Sequence, residues 1–468
     1  MVNLILWTTF HFQLAPTRTV GAYQLASWLR CHGYTVKVID FCHAMTTTEL
    51  VEITKKHISK ETLAIGVSST FWKSAKDNIE RINFNGYLEP EWVLAAREQI
   101  ESTHKVKWLL GGDKAELSGA KFNWVTFLGN SENALLKWMD ENSSRYLIRK
   151  PFDVQHINNI FEPGDFIQPQ ETLPTELGRG CMFKCKFCSY PLMGKKPGTY
   201  VRDMSLIKEE FIRNYNEYGT KNYFFLDDTV NENHEKIQNL ADIVQSLPFE
   251  LSWTGYNRLD MIASKPDTIN WLKDSGLASS YFGIESFHPG ASSLIGKGWN
   301  GKHGKDFLLK LKSEWGDDIN WTLSMIVGLN GESKEHLEEV TQWCIDNDMY
   351  HWMFFALHID SSTNKVWKSE FDKNCHEYGY RFENPNMPYN WTSDNWNLST
   401  AYNTANDLNA MSKPYQKVAS WMLLGLSTLG YSSKQMKDTL IVDLPMDDIK
   451  IKSNQFIKNY INYQLYGA

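Results

Sequence analysis

The chain has 468 residues and a formal net charge of −7, and 42% of its residues are hydrophobic and 22% charged. This balance excludes a mainly disordered chain, and the length predicts roughly two to four domains. The mild acidity argues weakly against an extended nucleic-acid groove, which usually carries a clustered basic face, so a nucleic-acid partner is not expected.

Residues 1–140 alternate between short apolar segments and helical patterns. Five strands are predicted, at Leu4–Trp7, Val36–Asp40, Leu63–Ser68, Trp108–Gly112 and Val125–Gly129. Apolar residues over 22–29 follow helical spacing, and Gly33 is the expected stop of that helix. Short hydrophobic strands separated by helices indicate an α/β domain with a parallel, doubly wound, Rossmann-like sheet. Such a sheet binds ligands at the carboxyl ends of its strands.

Small and polar residues follow three of these predicted strands. They are Ser68, Ser69, Gly111, Gly112 and Gly129. Glycine lets a backbone approach a ligand closely, but the same residue types also make ordinary tight turns. On the residues alone, a ligand site and plain turns are both open.

Residues 141–170 are read as a linker or bridge, because they are polar and contain Pro163, Gly164 and Pro169. Residues 171–365 resume the alternation. Six strands are predicted there, at Thr175–Leu177, Tyr223–Leu226, Leu251–Thr254, Ser280–Ile284, Thr322–Val327 and Met353–Leu357. One helix is predicted over Ser205–Tyr218, with Ser205 as its cap. Six strand–helix repeats indicate a partial (β/α)6 TIM-type barrel, with its chemistry at the C-terminal ends of the strands.

Residues 366–468 are less regular and are predicted to form a small, mainly helical C-terminal cap region. Helices are expected around Tyr415–Leu429 and Asn454–Tyr463. No stretch has the roughly 18–20 apolar residues needed to span a bilayer, and the N-terminus lacks the features of a signal peptide. A cytoplasmic protein without a membrane partner is therefore expected.

Three of the seven cysteines lie within eight residues of one another. Cys181, Cys185 and Cys188 form a CxxxCxxC motif after the first predicted barrel strand. Three thiolates this close can hold one face of a 4Fe-4S cluster and leave one iron open to a small chelating ligand. A structural zinc ion needs four protein ligands, and no fourth Cys or His lies near the three cysteines in the sequence. A disulfide would leave one thiol over and needs an oxidising compartment. The cluster is the prediction, and zinc or a chance match are the alternatives.

On this motif the sequence resembles the radical S-adenosylmethionine (SAM) superfamily. The resemblance implies that the three cysteines hold the 4Fe-4S cluster and that SAM chelates its open iron. It implies reductive cleavage of SAM to methionine and a 5′-deoxyadenosyl radical, which abstracts hydrogen from a substrate bound in the barrel. It also implies an electron donor such as flavodoxin or ferredoxin. The substrate and the catalytic residues are not readable from the sequence.

Further segments match this family in chain order and imply residues that face SAM. These are Phe187, Asp227, Asp228, Arg258, Glu285, Ser286 and Gly328. Asp227 and Asp228 stand where the family places polar groups for the SAM amino group, although the Gly-Gly-Glu version is absent. Asn330 replaces the commoner proline of the fifth-strand signature. Each residue could instead belong to a packed or solvated loop, and Glu332 with Ser333 could simply start a helix.

The Rossmann-like sheet ahead of the barrel resembles the cobalamin-binding-domain subgroup of the superfamily. That resemblance implies that the strand-end residues Ser68, Ser69, Gly111, Gly112 and Gly129 line the corrin and its nucleotide tail. The DxHxxG motif, whose histidine ligates cobalt in several other cobalamin proteins, is absent. The domain therefore either binds cobalamin without a protein axial histidine or has lost cobalamin binding. The four remaining cysteines are scattered, so a second cluster is not predicted.

The predicted function is radical SAM chemistry used for cobalamin-dependent methyl transfer. A cobalamin-independent radical rearrangement or oxidation is the alternative within the same class. A non-catalytic iron–sulfur or zinc-bearing interaction protein is the alternative outside it, since such a protein needs the cysteine loop but not the ordered strand-end motifs.

Overall fold

The computed structural model describes residues 1–11, 14–72, 90–112, 115, 123–129, 131–143, 151–189, 200–297, 301–361, 368–383 and 389–467. The strands are β1 Leu4–Trp7, β2 Val36–Ile39, β3 Ala64–Ser68, β4 Lys107–Gly111, β5 Val125–Thr126, β6 Leu173–Thr175, β7 Asn222–Phe225, β8 Ser252–Asn257, β9 Leu277–Glu285, β10 Asn320–Val327, β11 His351–Ala356, β12 Arg381–Phe382 and β13 Trp391–Thr392. The helices are α1 Val20–Cys31, α2 Thr47–His57, α3 Glu91–Glu101, α4 Glu132–Asn142, α5 Met204–Tyr218, α6 His234–Gln245, α7 Leu259–Ser264, α8 Thr268–Asp274, α9 Pro289–Leu294, α10 Gly301–Trp315, α11 Lys334–Asp346, α12 Glu370–Asn374, α13 Leu398–Ser412, α14 Ser420–Thr428, α15 Ser433–Met436 and α16 Met446–Tyr466.

The first sheet is parallel, with strand order β2-β1-β3-β4-β5. Strands β1 and β2 are buried along their whole length, as expected for a sheet covered on both faces. The doubly wound fold predicted for this part of the chain is confirmed. The largest difference is at β5, which is two residues long and exposed and ends three residues before the predicted end.

The second sheet contains six parallel strands in the order β11-β10-β9-β8-β7-β6, which confirms the partial barrel. Its first strand lies two residues before the predicted one, because Leu173 and not Thr175 begins the pairing with β7. Helix α5 is capped by Asp203, whose carboxylate accepts a hydrogen bond from the Ser205 backbone N–H. Ser205 was the predicted cap, and it lies inside the helix instead.

Helix α14 fills the concave face of this partial barrel. Thr322 of β10 is hydrogen-bonded to the Ser420 backbone N–H (3.0 Å), and Thr172 donates to the Leu424 carbonyl (2.6 Å). Gly425 places the helix against Phe224 of β7. A helix was predicted here as part of a C-terminal cap, and the structure puts it inside the barrel, at the end where the strands begin.

The remaining C-terminal helices cover the two sheets from outside. Helix α13 packs on the edge strand β11, where Trp352 donates its indole N–H to Ser412 (2.7 Å). Helix α16 packs on the first sheet, where the Tyr460 hydroxyl accepts a hydrogen bond from the Asp40 backbone N–H (2.9 Å). Within the described residues, no helix is long and apolar enough to cross a membrane.

The predicted bridge is bound tightly to the first sheet by buried charge. Arg18 forms an ion pair with Glu171 (2.5 Å), and both side chains are almost completely buried. Arg30 pairs with Asp165 (3.5 Å). Since breaking a buried pair leaves an uncompensated charge in the interior, these contacts hold residues 162–171 in one position between the sheets. The predicted domain boundaries at 140, 170 and 365 stay predictions.

Candidate functional site

The loop with the three cysteines leaves the end of β6, at the carboxyl edge of the barrel. Its entrance is fixed by backbone pairing of Gly178 with Val201, and Gly180 has a φ of 83°, which favours glycine. The Cys188 N–H donates to the Cys185 carbonyl (3.0 Å), which closes a tight turn between these two residues. None of the three cysteines forms a disulfide, and all three are half-buried at the barrel rim.

A buried charged group supports this loop from below. The Asp227 carboxylate accepts hydrogen bonds from the Leu177 N–H (2.7 Å) and the Lys236 ammonium (2.6 Å). Glu232 accepts from the Met182 N–H (3.1 Å) and lies 3.6 Å from the same ammonium. Burial by itself would lower the pKa of Lys236, but attraction to the two carboxylates outweighs it and raises that pKa. Lys236 is therefore charged and fixes both ends of the loop entrance.

Polar groups also lie directly beside the sulfur atoms. Arg258 donates from Nη1 to the Sγ of Cys185 (3.3 Å), and its guanidinium is held by Asp260 (2.6 Å). The Thr229 hydroxyl lies 3.3 Å from the Sγ of Cys181. The Thr229 hydroxyl donates its hydrogen to the Asp228 carbonyl (2.7 Å), so toward Cys181 it can only accept. The Arg258 cation can balance the negative charge that a metal-binding cysteine carries.

These residues fit an iron–sulfur cluster better than a single metal ion. Among the described residues, no three His, Cys, Asp or Glu side chains converge closely enough to hold one metal ion, and this includes the three cysteines. A cluster does not need such convergence, because each cysteine binds a different iron. The Cys181, Cys185 and Cys188 set, with Arg258 against one sulfur, could hold a cluster with one iron left open.

The two neighbouring aspartates predicted to receive SAM have different surroundings. Asp227 is fully buried and engaged with Leu177 and Lys236, so its carboxylate serves the loop. Asp228 is half-buried, at the carboxyl end of β7 next to Thr229. Phe187 is half-buried and packs on the barrel core. Of the three predicted residues Asp227, Asp228 and Phe187, the last two have solvent-accessible surface at the rim.

The predicted residues after β9 and β10 form a second part of the rim. Glu285 has a φ of 67° and pairs with Lys297 (3.1 Å). Ser286 is buried and donates to Glu332 (2.9 Å), which is also hydrogen-bonded to His336 (2.9 Å). Ser333 caps helix α11, so the helix start considered for this segment is real, and Glu332 additionally anchors the residue after β9.

Gly328 lies where the C-terminal region touches the rim. Its φ is 105°, and a Cβ there would come within 2.6 Å of the Trp391 ring. The absence of a side chain thus allows Trp391 to pack against the end of β10. The role of these rim residues toward SAM stays a prediction.

A cavity of about 430 Å³ lies at the carboxyl ends of the strands of the first sheet. Four of the five residues predicted there line it: Ser68, Gly111, Gly112 and Gly129. The fifth, Ser69, is buried beside the cavity, and its hydroxyl donates to the Gly111 carbonyl (2.8 Å). Gly112 has a φ of 99°, and a Cβ there would lie 2.7 Å from the Thr70 nitrogen, so this turn requires glycine.

The same cavity reaches the second sheet. Glu176, Arg179 and Leu226 of the barrel line it together with Gln24 and Glu132 of the first domain. Arg179 donates to Gln24 (3.0 Å) and forms ion pairs with Glu176 (2.9 Å) and Glu132. Because Arg179 stands two residues before Cys181, the cavity and the cysteine loop share one wall.

Sequence reasoning did not identify Thr229, Glu232 or Lys236. The sequence did contain a sign that Lys236 is buried. It lies at helical spacing from Leu240 and Val244, on the buried face of α6. A lysine on an apolar face requires a buried partner. Thr229 and Glu232 show no comparable pattern.

Residues 175–344 match the family model described as the radical SAM superfamily. The barrel of this chain is a radical SAM domain, as its cysteine loop predicted, and domains of this class are built around a 4Fe-4S cluster and SAM.

One curated protein is similar to part of the sequence, and two solved structures share the fold over most of the chain. An uncharacterized methyltransferase of Pyrococcus horikoshii is 30% identical over 176 residues, which is 38% of this chain and 37% of that protein. The radical SAM methyltransferase TsrM of Kitasatospora setae, solved with cobalamin and a [4Fe-4S] cluster, superposes with a TM-score of 0.58 at 15% identity, over 82% of this chain and 78% of that one. The cobalamin-dependent radical SAM enzyme OxsB, solved with aqua-cobalamin, gives 0.58 at 12% identity, over 99% and 72%.

These similarities establish the fold but not the activity of the whole chain. The match to the curated relative spans little more than a third of that protein's length. The solved structures are too distant in sequence to show more than the fold. That shared fold is a Rossmann-like domain followed by a radical SAM barrel, the arrangement predicted from the sequence.

Proposed function

We propose that this protein is a radical SAM methyltransferase that binds cobalamin in the cavity of its first domain and methylates a substrate held in the barrel. The observation that carries the proposal is the shared wall at Arg179. It places the strand-end cavity next to the loop of Cys181, Cys185 and Cys188. A methyl donor in the cavity and a radical source on the loop would thus face the same barrel mouth.

The proposal assigns separate tasks to the cofactors and to the chain. When bound, the cluster and SAM supply a 5′-deoxyadenosyl radical that takes hydrogen from the substrate, and cobalamin supplies the methyl group. The three cysteines hold the cluster, and Arg258 balances its charge. Asp228 and Glu285 receive the polar end of SAM at the rim. The backbone at Gly111, Gly112 and Gly129 lets a large ligand approach the first sheet closely.

Two further assignments belong to this proposal. The reducing electron comes from a flavodoxin or ferredoxin, which would approach the half-exposed cysteine loop. The cytoplasm is the expected location, and seven cysteines that form no disulfide agree with a reducing compartment.

The test uses the full-length protein, purified and reconstituted anaerobically with iron and sulfide. Titration with hydroxocobalamin, followed by its absorption spectrum after gel filtration, should give one bound equivalent. Addition of SAM and dithionite should then yield 5′-deoxyadenosine. A Cys181→Ala variant is the matched control and should lose the intact cluster and the 5′-deoxyadenosine, while it retains cobalamin.

The outcomes separate the alternatives. Formation of 5′-deoxyadenosine without any cobalamin binding would replace methyl transfer by a cobalamin-independent radical reaction. A cluster-loaded protein that neither binds SAM nor changes its spectrum with SAM would be an iron–sulfur interaction protein. Undiminished iron in Cys181→Ala would contradict the ligand assignment.

A further inference from the structure

Three large apolar side chains are exposed at the carboxyl edge of the partial barrel. Leu226 follows β7 and is 39% exposed, Tyr256 on β8 is 48% exposed, and Phe355 on β11 is 44% exposed. Each stands near the end of a strand that is otherwise mostly buried. Contiguous exposed apolar surface marks a binding site more often than a chance feature.

Strand alternation shows that Phe355 and Tyr256 point into the concave side of the barrel, while Leu226 also lines the cavity shared with the first domain. On β11, Trp352 points outward to Ser412 of α13, so Phe355, three positions later, points inward. On β8, Tyr256 is paired opposite Tyr281 of β9, and the two rings meet edge to face with centroids 4.6 Å apart. The inner face at this depth is therefore aromatic.

The aromatic surface continues down to the floor made by α14. The Tyr281 ring lies 5.6 Å from that of Trp421, and Trp421 lies 5.7 Å from the ring of His351. Burial lowers the pKa of His351 to about 3, so its imidazole is neutral at pH 7. Its Nδ1 is buried and has no hydrogen-bond partner among the described residues.

Two charged pairs lie at the rim above this surface. Arg258 is paired with Asp260, and Glu285 with Lys297, both where strands end. The inward positions below them are Tyr256, Tyr281, Ser324, Met353 and Phe355, and none of these carries a charge. A charged group would lose hydration there without gaining a partner, whereas a flat ring would gain edge-to-face contacts.

We infer that the barrel interior binds an aromatic ring of the substrate, packed against Tyr256 and Tyr281 above the floor of Trp421 and His351. The ring carries no charge, because the inward side chains offer a charged group no partner. This inference rests on the proposed function, because it takes the barrel interior as the substrate site. It narrows the substrate class to uncharged aromatic groups such as an indole or a substituted benzene ring.

Indole is the probe, and its saturated analogue octahydroindole is the matched control ligand. Both are titrated calorimetrically into the cluster-loaded, full-length protein saturated with cobalamin, so that the cavity of the first domain is filled. Both probes are used as their N-acetyl derivatives, so that both are uncharged and they differ only in the saturation of the rings. The indole should bind about 2- to 12-fold more tightly, since aromatic pairing adds roughly 0.5–1.5 kcal/mol beyond buried area. Equal affinity of the two probes would overturn the inference.

Tyr256 is the position to vary, because its exposed ring can be removed without opening the core. Tyr256→Ala should weaken indole binding by roughly threefold to tenfold, and Tyr256→Phe should restore it. Tyr466→Ala, on an exposed tyrosine at the end of α16, is the control and should bind indole like the parent. Unchanged binding in Tyr256→Ala would place the aromatic ligand elsewhere.

The two proposals can fail separately. Indole binding that depends on Tyr256, in a protein that makes no 5′-deoxyadenosine, would leave the aromatic site standing and remove the proposed reaction. Formation of 5′-deoxyadenosine in a protein that binds indole and its saturated analogue equally would support the proposed reaction and remove the aromatic site.

Discussion

Arg179 forms an ion pair with Glu132, and through it the loop that carries the three cysteines is tied to the first turn of α4 in the other domain. The same guanidinium binds Glu176 at the base of the loop. The side chains of Arg179 and Glu132 are 22% and 14% exposed, so water screens them little. One residue thus joins the Rossmann-like domain to the cysteine loop.

Replacement of this residue by Arg179→Met should lower the free energy of unfolding by about 2 kcal/mol. It leaves two carboxylates without a partner, but their partial exposure keeps the cost below the roughly 3–5 kcal/mol of a fully buried pair. Urea denaturation of the apo-protein measures it. Arg381→Met removes an exposed ion pair with Asp394 and should cost less than about 1 kcal/mol. Equal losses in the two variants would contradict the bridging role.

Arg258 should set the reduction potential of the cluster. Its guanidinium donates to the Sγ of Cys185, and a positive charge there favours the reduced, more negative cluster. Arg258→Met should make the midpoint potential more negative by about 60 mV, because a one-electron shift of 59 mV equals about 1.4 kcal/mol, near the contribution of a hydrogen bond to a charged group. Redox titration followed by electron paramagnetic resonance gives the value. A more positive potential in the variant would show that Arg258 acts in another way.

Gly111 offers a direct test of the cavity in the first domain. It lines the cavity, and a Cβ built on it meets no atom within 4 Å, so a larger side chain would enter empty space. Gly111→Phe should weaken hydroxocobalamin binding at least about tenfold, the effect of 1.4 kcal/mol, with little loss of stability. Gly111→Ala is the control for the change of backbone freedom and should bind almost normally. Normal affinity in a folded Gly111→Phe protein would move the cobalamin site elsewhere.

Asp40 should make stability depend on pH in the acid range. Burial raises the pKa of its carboxyl from 3.8 to about 6, although Arg18 and the Phe41 N–H act in the opposite direction. The folded state therefore holds this proton more tightly than the unfolded chain does, and the stabilisation, complete below about pH 4, is lost as the pH rises to 6. The loss amounts to roughly 3 kcal/mol.

Asp40→Asn keeps the acceptor for the Phe41 N–H and removes the titration. The difference in unfolding free energy between Asp40→Asn and the parent should therefore change by about 2 kcal/mol between pH 4 and pH 6.5 and stay nearly level above pH 6.5. Urea denaturation at several pH values supplies the curve. A difference that does not vary with pH would mean that Asp40 has an ordinary pKa in the folded protein.

The sequence predicted most strands to within one to three residues because their apolar runs are buried in both sheets, and this burial is a local property. The location of α14 was not predictable in that way. Its apolar residues, among them Leu423, Leu424 and Leu426, require burial but do not specify against what. Its contacts with Thr172 and Thr322 join residues about 100 to 250 positions apart in the chain.

In the candidate site, too, local features were predictable from the sequence and long-range contacts were not. The three cysteines were evident from spacing alone, and the glycines of the cavity from their places after strands. The position of Asp227 was also predicted, but its carboxylate faces Lys236 and the loop backbone. Which way a side chain turns depends on partners that only the folded chain brings together, and here the partner is a lysine on the buried face of a helix.

The place of α14 in the barrel has a consequence for how the protein is made. Synthesis proceeds from the N-terminus, so all six barrel strands and the cysteine loop leave the ribosome before the helix that closes their inner face. Until residues 420–428 emerge, the aromatic interior stays open from below and in contact with water. The cysteines are thus presented before the helix beneath them is in place, and the unfinished barrel exposes apolar surface of the kind that promotes aggregation during folding.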